Sequence, residues 1–173
     1  MPHLEAQRDP RSSATRTLGR SVEVMDQVDV SVVIPCFNER DGIADLHQRL
    51  LQMIEESSEL RRWEFLLVDD GSTDGTAQVI ESTFGHLPWV RVVSHAENRG
   101  LIAALQTGFE AAHGRWVACL DADCTYSPSL VNQLLDRALD GYDVVSVSPY
   151  HPQGRVENVT AWRIALSRIA SRM

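Results

Sequence analysis

The sequence predicts an α/β fold of three layers, α/β/α, with helices on both faces of a mostly parallel sheet. Two observations predict it. From Val30 onward short β-branched runs alternate with amphipathic stretches, the rhythm of strands joined by crossover helices. The runs are also close to continuously apolar, as strands covered on both faces are, whereas a half-solvated strand would alternate.

Val30–Pro35 reads as the opening strand, and Glu39–Glu56 as a helix with Ile43, Leu46, Leu50 and Ile54 at helical spacing. Trp63–Asp69 is the next strand. Turn chemistry at Gly71 to Gly75 then leads into a helix from about Thr76 to Thr83, with Asp74 as its cap. Trp89–Ser94 is a strand, followed by a helix from Gly100 to His113 that buries Leu101, Leu105, Phe109 and Ala112 and stops at Gly114. Trp116–Leu120 is the fourth strand. Ser127 and Pro128 open the helix Leu130–Leu139, and Asp143–Ser148 is the fifth strand.

A loop, Pro149–Asn158, leads to a final helix Val159–Arg172 with Val159, Trp162, Leu166 and Ile169 on one face. That face needs something further to pack on, so the sequence is expected to be incomplete at its C-terminus. Residues 1–28 are polar and read as a disordered N-terminal tail, which leaves 29–173 as the domain.

Composition removes several function classes. With 24 acidic against 16 basic residues the chain carries a formal charge of -8, which argues against a nucleic-acid partner. Every basic residue is arginine. No lysine is present to serve a P-loop, a Schiff base or a phospho-receiver switch. Cys36, Cys119 and Cys124 form no CxxC pair and read as reduced, buried thiols of a cytoplasmic protein. No apolar run reaches the roughly 18 residues of a membrane-spanning helix.

In an open parallel sheet the ligand crevice lies beyond the carboxyl ends of the strands. Here those positions are acidic: Glu39 after the first strand, Asp69 and Asp70 after the second, Asp121 and Asp123 after the fourth. Carboxylates converging on one edge repel unless a cation or a hydrogen-bonding ligand compensates. Asp121 and Asp123 offer hard oxygen ligands suited to Mg2+ or Mn2+ bound together with substrate phosphates. Asp70 is placed to accept from a nucleobase edge or ribose, while Asp69 closes the turn. Arg99 and the helix start at Gly100 are placed to meet phosphate, with a plain surface arginine as the equal alternative.

Four strings in this order carry a resemblance: Val32-Val33-Ile34-Pro35-Cys36-Phe37-Asn38-Glu39, Leu67-Val68-Asp69-Asp70-Gly71-Ser72-Thr73-Asp74-Gly75-Thr76, Asn98-Arg99-Gly100-Leu101 and Leu120-Asp121-Ala122-Asp123. Together they resemble the family 2 glycosyltransferases of GT-A fold, with their Rossmann-like nucleotide-binding sheet, most closely the polyprenyl- or dolichyl-phosphate mannose synthase branch. The resemblance implies that Pro35, Phe37, Glu39, Val68 and Asp70 line a nucleoside pocket, with Arg99 and Ala122 beside the donor. It further implies that Asp121 and Asp123 are the catalytic, metal-binding pair, with the Thr125 hydroxyl as a third metal ligand. Phe37 stands where the family usually has tyrosine. Pro149 stands where the branch has an arginine for the sugar-phosphate, and Arg155 or Arg163 is the candidate to compensate.

The expected activity is inverting transfer of a hexose from a nucleotide-sugar of GDP-mannose or UDP-glucose type to an acceptor, either a lipid (polyprenyl) phosphate or a glycan, with Mg2+ or Mn2+. The expected place is the cytoplasm, at the cytoplasmic face of a membrane if a region beyond Met173 reaches the surface. Two rivals stand beside it. One is a donor-binding fragment without transferase activity. The other is a phosphohydrolase using Asp121-Ala122-Asp123-Cys124-Thr125 as a DxDxT motif, which calls for that motif on the first strand and a downstream lysine.

Overall fold

A computed structural model describes His3–Gln7 as backbone, together with residues 28–57 and 61–148. The chain divides into two compact units, 17–132 and a second made of 1–16 with 133–173. In the second, β1 (His3–Gln7) pairs antiparallel with β6 (Val144–Ser148). This strand falls inside the stretch read from sequence as a disordered tail, and the division at Gln133 cuts what was read as one domain from 29 to 173. The loop Pro149–Asn158 and the helix Val159–Arg172 lie outside the described residues.

The larger unit holds a four-stranded, wholly parallel sheet in the order β4-β3-β2-β5, with β2 (Val30–Cys36), β3 (Trp63–Asp69), β4 (Val90–Ser94) and β5 (Trp116–Cys119). The central strands β2 and β3 are buried almost throughout, whereas β4 and β5 alternate with partly exposed residues. The continuously apolar sequences of β2 and β3 follow from this, because both of their faces are covered.

Register sorts the side chains by face. Val33 lies opposite Leu66, and Pro35 opposite Val68. Val33, Leu66 and Val68 form one buried cluster with Ala104 of helix α3 (Leu101–Ala111). The alternate residues Val32, Ile34, Phe65 and Leu67 point to the opposite face and are equally buried. Helix α2 (Thr76–Phe84) packs on β3 and β4, and α1 (Ile43–Glu55) packs on α2, with His47 edge-on to Phe84. Gly108 lets α3 approach the sheet, since a Cβ there would run into Val33 Cγ1.

Two local expectations are corrected by named hydrogen bonds. The helix expected from Glu39 is a 3-10 turn at Arg40–Gly42 before α1 begins at Ile43. The backbone just ahead of it is held by another turn: Asn38 N–H donates to Ser72 Oγ, Glu39 N–H to Thr76 Oγ1 and Arg40 N–H to Asp74 Oδ2. Gly114 is not a left-handed helix stop. It permits close approach, donating its N–H to Ser31 Oγ at 2.8 Å where a Cβ would strike the Ser31 backbone.

The amino end of the sheet is closed by a polar clamp. Glu64, buried at the start of β3, accepts from Ser31 Oγ at 2.6 Å, Arg91 Nη1 at 2.8 Å and the His113 backbone N–H at 3.0 Å. Burial opposes its ionisation, but the Ser31 hydroxyl, Arg91 and His113 outweigh that and hold the carboxyl below its ordinary value.

Candidate functional site

At the opposite, carboxyl end of the sheet the segments following β2, β3 and β5 meet the start of α3 around a cleft of about 320 Å³. That volume lies at the small end of ligand pockets. Of the residues expected from sequence, the cleft brings together Pro35, Phe37, Glu39, Asp70, Asp121, Ala122 and Asp123. Asn98, Leu101 and Ala104 join them without having been foreseen at the site. Phe37 is 45% exposed, so one edge of the cleft is an open aromatic ring.

Asp70 is the most constrained of these groups. Its Oδ1 accepts from the Arg99 backbone N–H at 2.9 Å and from His95 Nδ1 at 2.6 Å, and its Oδ2 accepts from the Gly100 N–H at 2.7 Å. Burial works against the charge, yet the Arg99 N–H, the His95 ring and the Gly100 N–H prevail and hold the carboxyl below its ordinary value. Gly100, at φ 89 and ψ 159, has a backbone open essentially to glycine alone. Gly71, at φ 69, brings the turn after Asp70 so close to Glu97 and Asn98 that a Cβ would collide with their backbone. Asp69 does close the turn, accepting from Ser72 N–H at 3.4 Å.

The acidic side of the cleft is Glu39, Asp121 and Asp123. Glu39 is pushed above its ordinary value by burial, then by the negative charge of Asp123 and of Asp74. Asp121 and Asp123 are both exposed at the cleft. Asp123 is oriented by Thr125, which donates its backbone N–H to Oδ1 and its hydroxyl to Oδ2, each at 2.9 Å. Cys124, at φ 50, makes the tight turn between them.

Among the described residues no group of three or more His, Cys, Asp or Glu side chains converges as a self-sufficient metal cage. Two carboxylates at an open cleft instead match a Mg2+-type ion, which takes one or two protein carboxylates and completes its shell with water and substrate phosphates.

Three expected site residues are placed elsewhere. Val68 is fully buried in the cluster beneath α3, behind Ala104 rather than in the cleft. Arg99 is exposed and does not line the cleft, and its backbone N–H is spent on Asp70 instead of on phosphate. The Thr125 hydroxyl is turned onto Asp123. Arg155 and Arg163 lie outside the described residues. Cys36 and Cys124 are buried, with the Cys36 thiol pushed up to about 12 by burial and the nearby Asp69 and Glu39, but Cys119 is exposed, contrary to the buried reading, because β5 has a partner strand on one side only among the described residues.

Sequence reasoning missed His95 and Thr107. The ring of His95 is 6% exposed and bridges Asp70 to Thr107 Oγ1, which it meets through Nε2 at 2.9 Å. A histidine one residue beyond a strand, five before the glycine that leads the next helix, was the available signal.

Known proteins are similar to this chain. The chain is 31% identical over 139 residues to a dolichol-phosphate mannosyltransferase of Pyrococcus furiosus, covering 80% of this chain and 38% of that protein. It is 37% identical over 118 residues to an undecaprenyl-phosphate 4-deoxy-4-formamido-L-arabinose transferase of Edwardsiella ictaluri, covering 67% of this chain and 35% of that one. It thus spans well under half the length of these relatives. Among solved structures it is similar to the mannosyltransferase PcManGT of Pyrobaculum calidifontis, in complex with GDP-Man and Mn2+, with 30% identity and a TM-score of 0.50 over 62% of this chain and 32% of that one. Residues 31–169 match the family described as Glycosyl transferase family 2, which contains the whole cleft, and the chain belongs to that family.

Proposed function

We propose that the cleft binds the nucleoside diphosphate part of a nucleotide-sugar, of GDP-mannose or UDP-glucose type, for inverting transfer of the hexose to a polyprenyl phosphate. The observation that carries the reading is the pairing, in one cleft, of an open aromatic ring and a fixed carboxylate (Phe37 and Asp70) with exposed paired carboxylates (Asp121 and Asp123). The first pair suits a nucleoside. The second suits a diphosphate escorted by a cation. The resemblance to a mannosyltransferase solved with GDP-Man and Mn2+, and to transferases named for dolichol and undecaprenyl phosphates, supports the donor and acceptor classes.

Each residue then has a task. Phe37 offers a ring face on which a base stacks. Asp70 retains acceptor capacity on Oδ2, which takes one N–H from the protein. Asp121 and Asp123 hold Mg2+ or Mn2+, and Thr125 keeps the Asp123 carboxylate turned for that purpose. A cation bound there offsets the negative charge that builds on the leaving diphosphate. Attack from the face opposite that leaving group inverts the anomeric carbon. A phosphate acceptor is already anionic at neutral pH and needs no general base, whereas a hydroxyl acceptor would.

The acceptor places the reaction at the cytoplasmic face of a membrane. No helix among the described residues is long and apolar enough to cross one. Calorimetry of the 173-residue chain with GDP, UDP, CDP and dTDP tests the donor reading. Binding of one or two of them with Mn2+, lost in EDTA and in Asp123→Ala, is expected. Equal binding in EDTA would sink it.

A further inference from the structure

We infer that His95 is a positioning residue for the nucleoside: its Nδ1–H fixes which oxygen of Asp70 faces the ligand, and Thr107 fixes the ring. The inference rests on the donor-site reading above. It starts from the unequal loading of the two Asp70 oxygens. Oδ1 accepts from both His95 Nδ1 and the Arg99 N–H, which fills its two lone pairs, while Oδ2 accepts only from the Gly100 N–H. The spare acceptor site is therefore on Oδ2. Asp70 lines the cleft, so an N–H or O–H of a nucleoside has that one place to bond.

The two backbone donors alone do not distinguish the oxygens strongly, since each binds one. The imidazole breaks the tie. A carboxylate held ionised can only accept, so Nδ1 carries the proton in this contact. In the neutral ring Nε2 is then the acceptor, and the Thr107 hydroxyl, 2.9 Å away, donates to it. The chain from Thr107 through His95 to Asp70 thus runs from the body of α3 to the floor of the cleft, and both of its inner side chains are over nine-tenths buried. His95 touches the ligand site only through Asp70.

Asparagine and glutamine separate the two ring nitrogens. Asparagine at 95 sets an amide N–H near the place of Nδ1, and glutamine sets one near the place of Nε2. The affinities of GDP and UDP with Mn2+, of inorganic pyrophosphate with Mn2+, and the melting temperature are measured for the wild type, His95→Asn and His95→Gln. His95→Asn is expected within about threefold of the wild type for the nucleotide that binds. His95→Gln is expected to be about tenfold weaker, the loss of one hydrogen bond to a charged group, with pyrophosphate unchanged in both.

If the two variants weaken nucleotide binding alike, or if pyrophosphate binding falls in step with nucleotide binding, the histidine is only a packing element and the inference is overturned. A wild type that binds neither nucleotide overturns the donor-site reading itself, and the inference with it. The melting temperature shows whether a variant has lost its fold, and rescue by His95→Asn is the result that simple destabilisation would not give.

Discussion

The Asp70 carboxylate accepts the Gly100 backbone N–H at 2.7 Å, so a residue just past β3 caps a helix whose leading glycine lies thirty positions later. The negative charge sits at the positive end of α3, where the helix dipole favours it. Asp70→Asn turns one acceptor oxygen into an NH2 donor facing an N–H, and is expected to cost about 2–3 kcal/mol of stability, read by urea unfolding. Because the folded carboxyl lies below its ordinary value of 3.8, its contribution is complete above that value and fades as pH falls through the folded one. The wild-type and Asp70→Asn curves should converge in that acid range. A gap that stays constant from pH 7 to the acid limit would refute the assignment.

Glu64 provides the control at the other end of the same strand. Removing its charge leaves Ser31, Arg91 and His113 without their common acceptor, and Glu64→Leu is expected to cost about 2–4 kcal/mol. Nucleotide affinity, measured where the variant is fully folded, should stay within about twofold, because the clamp closes the amino end of the sheet and the ligand site opens at the carboxyl end. A selective loss of affinity at unchanged stability would contradict that separation.

Thr125 distinguishes a metal ligand from a residue that orients one. Both of its polar donors are committed to Asp123. Thr125→Val keeps the backbone N–H but removes the hydroxyl, and is expected to weaken Mn2+-dependent nucleotide binding by about three- to tenfold, one hydrogen bond to a charged group in a solvent-open setting. Thr125→Ser should retain it. Complete loss of metal dependence in Thr125→Val, equal to that of Asp123→Ala, would restore Thr125 as a direct ligand.

The parallel sheet and the acidic ends of its strands were legible because both obey one-dimensional rules: near-continuous apolar runs for β2 and β3, and function after strand ends. Trp63–Asp69 and Leu130–Leu139 were read to the residue. What a sequence does not display is which hydrogen-bonding capacity is already spent. Arg99 and Gly100 look like a phosphate-binding helix start until Asp70 is seen to occupy their N–H groups. Val68 belongs to a motif that lines the cleft and shares a strand face with Asp70, yet it lies inside the sheet beneath Ala104 of α3, while Asp70, just past the end of β3, reaches the cleft. His95 was passed over because its partners lie 25 positions before it and 12 after, and no local pattern links them.

Glu39 gives the most direct probe of the cation. Its carboxyl is raised by burial first, then by Asp123 and Asp74, so at neutral pH its ionised form weakens the fold. The sign is opposite to that of Asp70. The penalty is present above the raised folded value and is relieved as pH falls through it toward the ordinary 4.5. Glu39→Gln should therefore melt higher than the wild type at pH 7 without metal, by about 2 °C for a domain of this size, and the difference should vanish near pH 4. Mn2+ held by Asp121 and Asp123 would offset the Asp123 contribution but not that of burial, so saturating Mn2+ alone should narrow the pH 7 difference. A gap of unchanged size with and without Mn2+ would mean that no cation sits beside Asp123.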